Sequence, residues 1–211
     1  YVNTPENYTE RLEELLNEKI KCANIEKFEV INFGMGGYDI QYSLERYKLR
    51  GKKYNPDLVI WFLKEDDFLH INEILLPKVN YYSQELEKTG EYQELIKEGD
   101  YYPDWTKAYE DVSKEYKMDD ILNYQNQILN EASKTIGAPL LLFTFSTTDN
   151  KFKNILKGHT GSQIFLFDGL IHIWNHPELV FPDGHPSQEG HALIAKELFG
   201  YLAENNLIPC N

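Results

Sequence analysis

The chain has 211 residues, 21 basic and 34 acidic, for a formal charge of −13; at about 150 residues per domain this is one domain with room for an insertion. A pI near 4.9 repels phosphate backbones and anionic lipid, which makes nucleic acid and membrane surfaces poor partners, and the longest apolar runs, such as residues 139–145, are too short to cross a bilayer. Apolar residues at 42% and aromatics at 14% supply a core, whereas the two cysteines, Cys22 and Cys210, provide no disulfide framework and no metal-binding spacing.

Residues 8–21 place Leu12, Leu15, Leu16 and Ile20 on one helical face with charges opposite. Residues 28–34 (Phe-Glu-Val-Ile-Asn-Phe-Gly) form a β-branched and aromatic run closed by glycine and are predicted to be a buried strand. Helical periodicity returns from Ile40 to about Leu49, and Asn55-Pro56 then breaks the chain before a second apolar strand at 57–63. A helix near 119–136 precedes a third strand at 139–146, and a weaker strand is predicted at 163–169. Residues 187–206 form an amphipathic helix with Ser187 at its N-cap. Apolar strands alternating with amphipathic helices predict an α/β fold, a parallel sheet covered by helices, with sites at the carboxyl ends of the strands.

Residues 75–118 interrupt this rhythm and are predicted to be a helical insertion, or cap, after the second strand. Residues 85–120 hold twelve acids and five bases, a net of −7, and residues 81–124 hold eight of the fifteen tyrosines. A solvated acidic cap explains such a segment; so does a lid whose tyrosines offer a flat face and a hydroxyl to a sugar or acyl group.

Three clusters bear chemistry. In 182–191 (Pro-Asp-Gly-His-Pro-Ser-Gln-Glu-Gly-His), Asp183 and His185 lie two apart in a proline- and glycine-restricted loop before a helix. A carboxylate beside an imidazole holds its tautomer and stabilises the imidazolium, as a general base in acyl transfer requires; an Asp turn beside a surface histidine is the other reading. In 30–39, a strand ends in Asn32, Gly34, Gly36 and Gly37, where backbone N–H groups can point into a cleft as oxyanion donors or simply form a tight turn. The spacing lacks the pattern of a nucleotide-binding loop. In 61–68, Asp66-Asp67 follows the second strand, as acids suited to a helix N-terminus or as metal ligands.

These blocks, in this order, resemble the SGNH (GDSL-like) hydrolase family. The resemblance implies a three-layer α/β/α sandwich of flavodoxin-like type and a serine ester hydrolase or O-acyl transferase acting on a small ester such as an acetylated sugar, with no cofactor and no metal. It implies that His185 is the general base, Asp183 its orienting partner and Gly37 an oxyanion N–H donor, and that Gly190-His191 opens the family's closing helix. It covers residues 1–211 as a single domain, apart from the insertion. Two departures follow. The family's Gly-Asp-Ser block does not occur in these residues, so its strand and nucleophilic serine are expected upstream of Tyr1. The family's oxyanion asparagine is replaced by Asp66, whose ionised carboxylate would repel an oxyanion; protonation of Asp66, its pointing away, a shifted register or weak activity are the ways around this. The alternatives are a non-catalytic binding module that kept the fold, and a metal-dependent hydrolase built on Asp66, Asp67 and histidines.

Of the remaining histidines, His172 and His176 lie four apart, a zinc-compatible helical spacing broken by Pro177, and His70 and His159 fall in polar stretches without an evident partner. Ser146, at a strand end, is the least unsuitable substitute nucleophile in the chain.

Overall fold

The structure is a computed structural model that describes residues 2–145, 150–169, 173, 176–182 and 184–210, without the side chains of Asp66 and Asn150. It is a mixed α/β chain with eight α-helices among the described residues and a three-stranded parallel sheet. The chain gathers into two compact units: residues 1–34, 50–63 and 136–211, and residues 35–49 and 64–135.

The first unit holds the sheet. Its strands β1 (Val59–Phe62), β2 (Leu140–Thr144) and β3 (Ile164–Asp168) are ordered β1-β2-β3, all parallel, with Val59 opposite Leu140 and Leu140 opposite Ile164. Every residue of the central strand β2 is buried, which explains why it reads as an unbroken apolar run. Helices α1 (Tyr8–Lys19) and α8 (Gln188–Glu204) set Leu12, Leu16, Ile194, Leu198 and Leu202 in one cluster with Leu141 and Phe143 of β2. Their shared burial removes apolar surface worth about 1.5–3 kcal/mol per large side chain. Asn7 caps α1 by accepting from Thr9 N and Glu10 N, and Ser187 caps α8 by accepting from Gly190 N. Helix α7 (Asn150–His159) leads into β3.

Two expectations for this unit are corrected. Residues 28–34 carry no regular secondary structure, are half-buried or exposed rather than buried, and pair with no strand among the described residues. Their main chain is bound instead by α1: Asn17 Oδ1 accepts from Phe28 N (2.9 Å), Asn17 Nδ2 donates to Phe28 O (3.0 Å), and a Glu13 carboxylate oxygen accepts from Val30 N (2.8 Å). Two polar helix side chains thus fill the hydrogen bonds that a neighbouring strand would fill. The cysteines, too, are not independent: Cys22 and Cys210 form a disulfide with their Cα atoms 5.2 Å apart. The packing of α1 on α8 brings the segments that follow these helices together, although 188 positions separate the two residues in sequence.

The second unit is helical: α2 (Ile40–Arg46), α3 (Asn72–Thr89), α4 (Glu91–Lys97), α5 (Pro103–Glu115) and α6 (Met118–Thr135). Leu75 and Val79 of α3, Ala108 and Val112 of α5 and Ile121 of α6 share one buried cluster with Ile71. The segment read as an insertion, 75–118, falls within this unit and contains no strand among its residues, all of which are described.

Candidate functional site

His185 sits in a loop held by its own backbone. Phe181 N donates to His185 O (2.7 Å), Gly184 N donates to Phe181 O (2.9 Å), and Val180 and Pro186 form an antiparallel bridge. Gly184 has φ of 82°, a left-handed conformation that glycine adopts without strain. The loop is then anchored to α8: Ser187 N donates to Leu179 O (2.8 Å) and Ser187 Oγ donates to Glu178 O (2.8 Å). Gly190 lets the first turn of α8 close on this loop, since a Cβ there would lie 2.1 Å from Leu179 O. The His185 side chain is exposed. Asp183 lies outside the described residues, as do Ser146 and His172.

His191, one turn into α8, is tied to α1. Tyr8 N donates to His191 Nδ1 (3.2 Å), and the two rings stack with centroids 5.9 Å apart and planes 7° apart. Burial and then the charge of Arg11 hold the His191 pKa below its ordinary value, consistent with a neutral ring whose Nδ1 accepts. This role fits a helix-to-helix latch.

Gly37 belongs to the helical unit. It has φ of 77° and closes a tight turn at 36–37. The turn is fixed by a buried pair that sequence reading did not single out. Asp39, fully buried, caps α2 by accepting from Tyr42 N (2.8 Å) on one carboxylate oxygen and accepts from Asn72 N (2.7 Å) on the other. The Asn72 amide nitrogen donates back to Gly37 O (2.9 Å). A buried carboxylate with two N–H donors is well satisfied, and it holds Asn72, whose amide in turn grips the Gly37 carbonyl. Asn72 Oδ1 and Gln125 Oε1 are buried without a hydrogen-bond partner among the described residues.

Asp66 lies in the short 3₁₀ turn Glu65–Phe68, a few residues past β1, and its side chain is outside the described set. Its neighbour Asp67 closes that turn by accepting from Lys64 N (2.7 Å). The third block is therefore a turn capped by its second aspartate. His185 falls in the sheet unit, and Gly37 and the backbone of Asp66 in the helical unit.

The other histidines divide. His70 is buried, and its Nδ1 is 3.0 Å from the Tyr109 hydroxyl, so the expectation of a polar stretch without a partner is corrected; its carbonyl accepts from Gln125 Nε2. His159 ends α7 with its pKa lowered by burial. His176 is exposed and pairs with Glu178 (3.2 Å). Asp168 is a further candidate, missed because it reads only as the end of a weak strand. It stands at the carboxyl end of β3, one oxygen 3.4 Å from Lys153 Nζ and the other buried without a hydrogen-bond partner among the described residues. Among the described residues no three His, Cys, Asp or Glu side chains gather as a metal site, and no helix is long and apolar enough to cross a membrane.

A groove of about 590 Å³ runs beside α1, lined by Glu10, Glu14, Glu18 and Glu26 among others, none of them a sequence-predicted site residue. No family model, curated protein or solved structure matches the chain.

Proposed function

We propose that the protein is a serine ester hydrolase or O-acyl transferase of the SGNH type, a three-layer α/β/α sandwich acting on a small ester such as an acetylated sugar. The observation that carries the reading is the outer edge of β1. Val59 N and Leu63 N donate to Pro139 O and Phe143 O of the β2 side, so strand alternation turns the main-chain groups of Ile60 and Phe62 the other way. Among the described residues no strand pairs with them. Val59–Phe62 is apolar throughout and only half-buried, and natural sheets rarely leave such an edge uncovered. A further strand ending in the family's Gly-Asp-Ser block, which these 211 residues do not contain, satisfies that edge and brings in the nucleophile.

In this mechanism the serine hydroxyl attacks the acyl carbon while His185 takes its proton and Asp183 orients the imidazole. The Gly37 N–H donates to the oxyanion. Collapse returns the His185 proton to the leaving alcohol and leaves an acyl-serine. Water or an acceptor hydroxyl, deprotonated by His185, then releases the acyl group and restores the serine. Asp66, where the family has asparagine, favours the second reading, a module that binds the ester without turning it over.

Full-length protein assayed with an acetylated oligosaccharide separates these. Turnover that falls by about 10²–10⁴ in His185→Ala and is indifferent to chelator supports the hydrolase. Binding without turnover supports the module, and loss on chelation supports a metal-dependent enzyme. If Asp66 blunts catalysis as an oxyanion-site charge, Asp66→Asn raises the rate; an unchanged rate removes Asp66 from the oxyanion site.

A further inference from the structure

An oxyanion donor must stand in one place before the charge develops, and the hydrolase reading gives that task to a glycine. Glycine turns about both its torsions more freely than any other residue, so an N–H on a glycine turn is only as well placed as whatever ties the turn down. The fold treats the two polar groups of Gly37 unequally. The residue is exposed, and its N–H has no hydrogen-bond partner among the described residues. Its carbonyl, by contrast, accepts from the side-chain nitrogen of Asn72 (2.9 Å). Asn72 is fully buried and is the first residue of α3. Its backbone N–H donates to Asp39 (2.7 Å), whose other carboxylate oxygen caps α2 through Tyr42 N (2.8 Å). The bond from Asn72 therefore removes the ψ freedom of Gly37 and ties its Cα to α3, leaving the N–H free toward solvent.

Asn72 holds this place at a cost. Its Oδ1 is buried without a hydrogen-bond partner among the described residues, and a stranded buried carbonyl forfeits the bonds that water would give it. Turning the amide over brings no relief, because it sets Oδ1 against the Gly37 carbonyl, acceptor against acceptor. An apolar residue of like shape would strand nothing, so packing alone does not call for asparagine here; the bond to the Gly37 carbonyl does. We propose that Asn72, itself held by Asp39, is a positioning residue of the ester chemistry: by tying the Gly37 carbonyl to α3 it fixes the Gly37 N–H that donates to the oxyanion. This role rests on the hydrolase reading, and it adds two residues that the resemblance does not assign.

The test uses full-length protein, an acetylated oligosaccharide as substrate, and phenylboronic acid, whose boron takes up the serine oxygen as a tetrahedral anion. Asn72→Leu keeps the branched shape and removes the stranded carbonyl together with the donor. It is expected to stay folded, to lose about 10–10² in kcat, and to keep KM within about twofold, as removal of a contact made in the transition state requires. Inhibition by phenylboronic acid should weaken by a factor similar to the loss in kcat. A merely structural role lowers the active fraction and leaves the inhibition constant of the remaining enzyme where it was. Asp39→Ser, whose single oxygen keeps the α2 cap and gives up Asn72 N, should shift both quantities in the same direction, and it decides should Asn72→Leu unfold. Unchanged kcat in a folded variant, or a lower kcat with an unchanged inhibition constant, overturns the positioning role and leaves the hydrolase reading standing. No turnover by the unaltered protein, or turnover indifferent to His185→Ala, contradicts the hydrolase reading and the positioning role with it.

Discussion

The sheet unit and the helical unit bury different kinds of polar group. Among the described residues of the sheet unit the buried polar side chains are three hydroxyls, Thr9, Thr144 and Ser187, and the other polar groups work in loops and at helix ends, as Asn7 and the backbone of the His185 loop do. In the helical unit carboxylates, an imidazole and amides are buried, Asp39, His70, Asn72, Asp104 and Gln125, while Tyr82 and Tyr124 pack against its cluster and Tyr81, Tyr101 and Tyr102 are exposed. The first arrangement is fixed by area removed from water, which tolerates small polar changes. The second depends on a hydrogen-bonded network in which each lost partner leaves another group stranded. Substitutions at polar positions are therefore expected to cost more in the helical unit.

The largest perturbation of the comparison lies at the disulfide. Closing a loop of 188 positions restricts the unfolded chain by about 5 kcal/mol on the chain-entropy account. Cys22→Ser/Cys210→Ser should lower the denaturant midpoint accordingly and raise amide exchange in α1 and α8. Protein prepared without reductant should show no thiol that reacts with an alkylating reagent after unfolding. Next comes Asp39→Ala, which strands Tyr42 N and Asn72 N in a buried place and is expected to cost about 2–4 kcal/mol, read by chemical denaturation. An equal cost for Ser187→Ala in the sheet unit would break the contrast. Gly190→Ala should cost about 1–3 kcal/mol through the forced shift against Leu179 O, measured in the same way.

The smallest effect is one of pH. Burial and Arg11 hold His191 below its ordinary pKa, and burial does the same to His159. For a base with a depressed folded pKa, the neutral form carries the stability: it is fully present above the unfolded value of about 6.5 and is lost as pH falls through the folded pKa. Stability should therefore decline modestly with acidification through His191. His191→Gln, which keeps an acceptor for Tyr8 N, should flatten the slope measured by thermal unfolding across that range.

The fold was legible where pattern and burial coincide. Helices α1, α6 and α8, strands β1 and β2 and the Ser187 cap all stand where periodicity and cap chemistry predict them, within a few residues. Residues 28–34 have the composition of a strand, but pairing depends on a neighbour, and here Asn17 and Glu13 of α1 take that place. The disulfide was illegible because its halves meet only through the packing of two helices. His70 sits between Leu69 and Ile71, so its burial had a local signal, but its partner Tyr109 is 39 positions away and had none. For the candidate site, the prolines and glycines around His185 announced a rigid loop, and the φ of Gly37 matches the turn expected of paired glycines. Asn72 gave no local signal, since it reaches Gly37 across 35 positions.

The central claim, an activated serine served by His185, is tested most directly by labelling full-length protein with a fluorophosphonate probe and mapping the modified peptide. The account predicts one labelled serine within a Gly-Asp-Ser sequence and loss of labelling in His185→Ala with the fold retained. No label on folded protein, or labelling indifferent to His185→Ala, would contradict it.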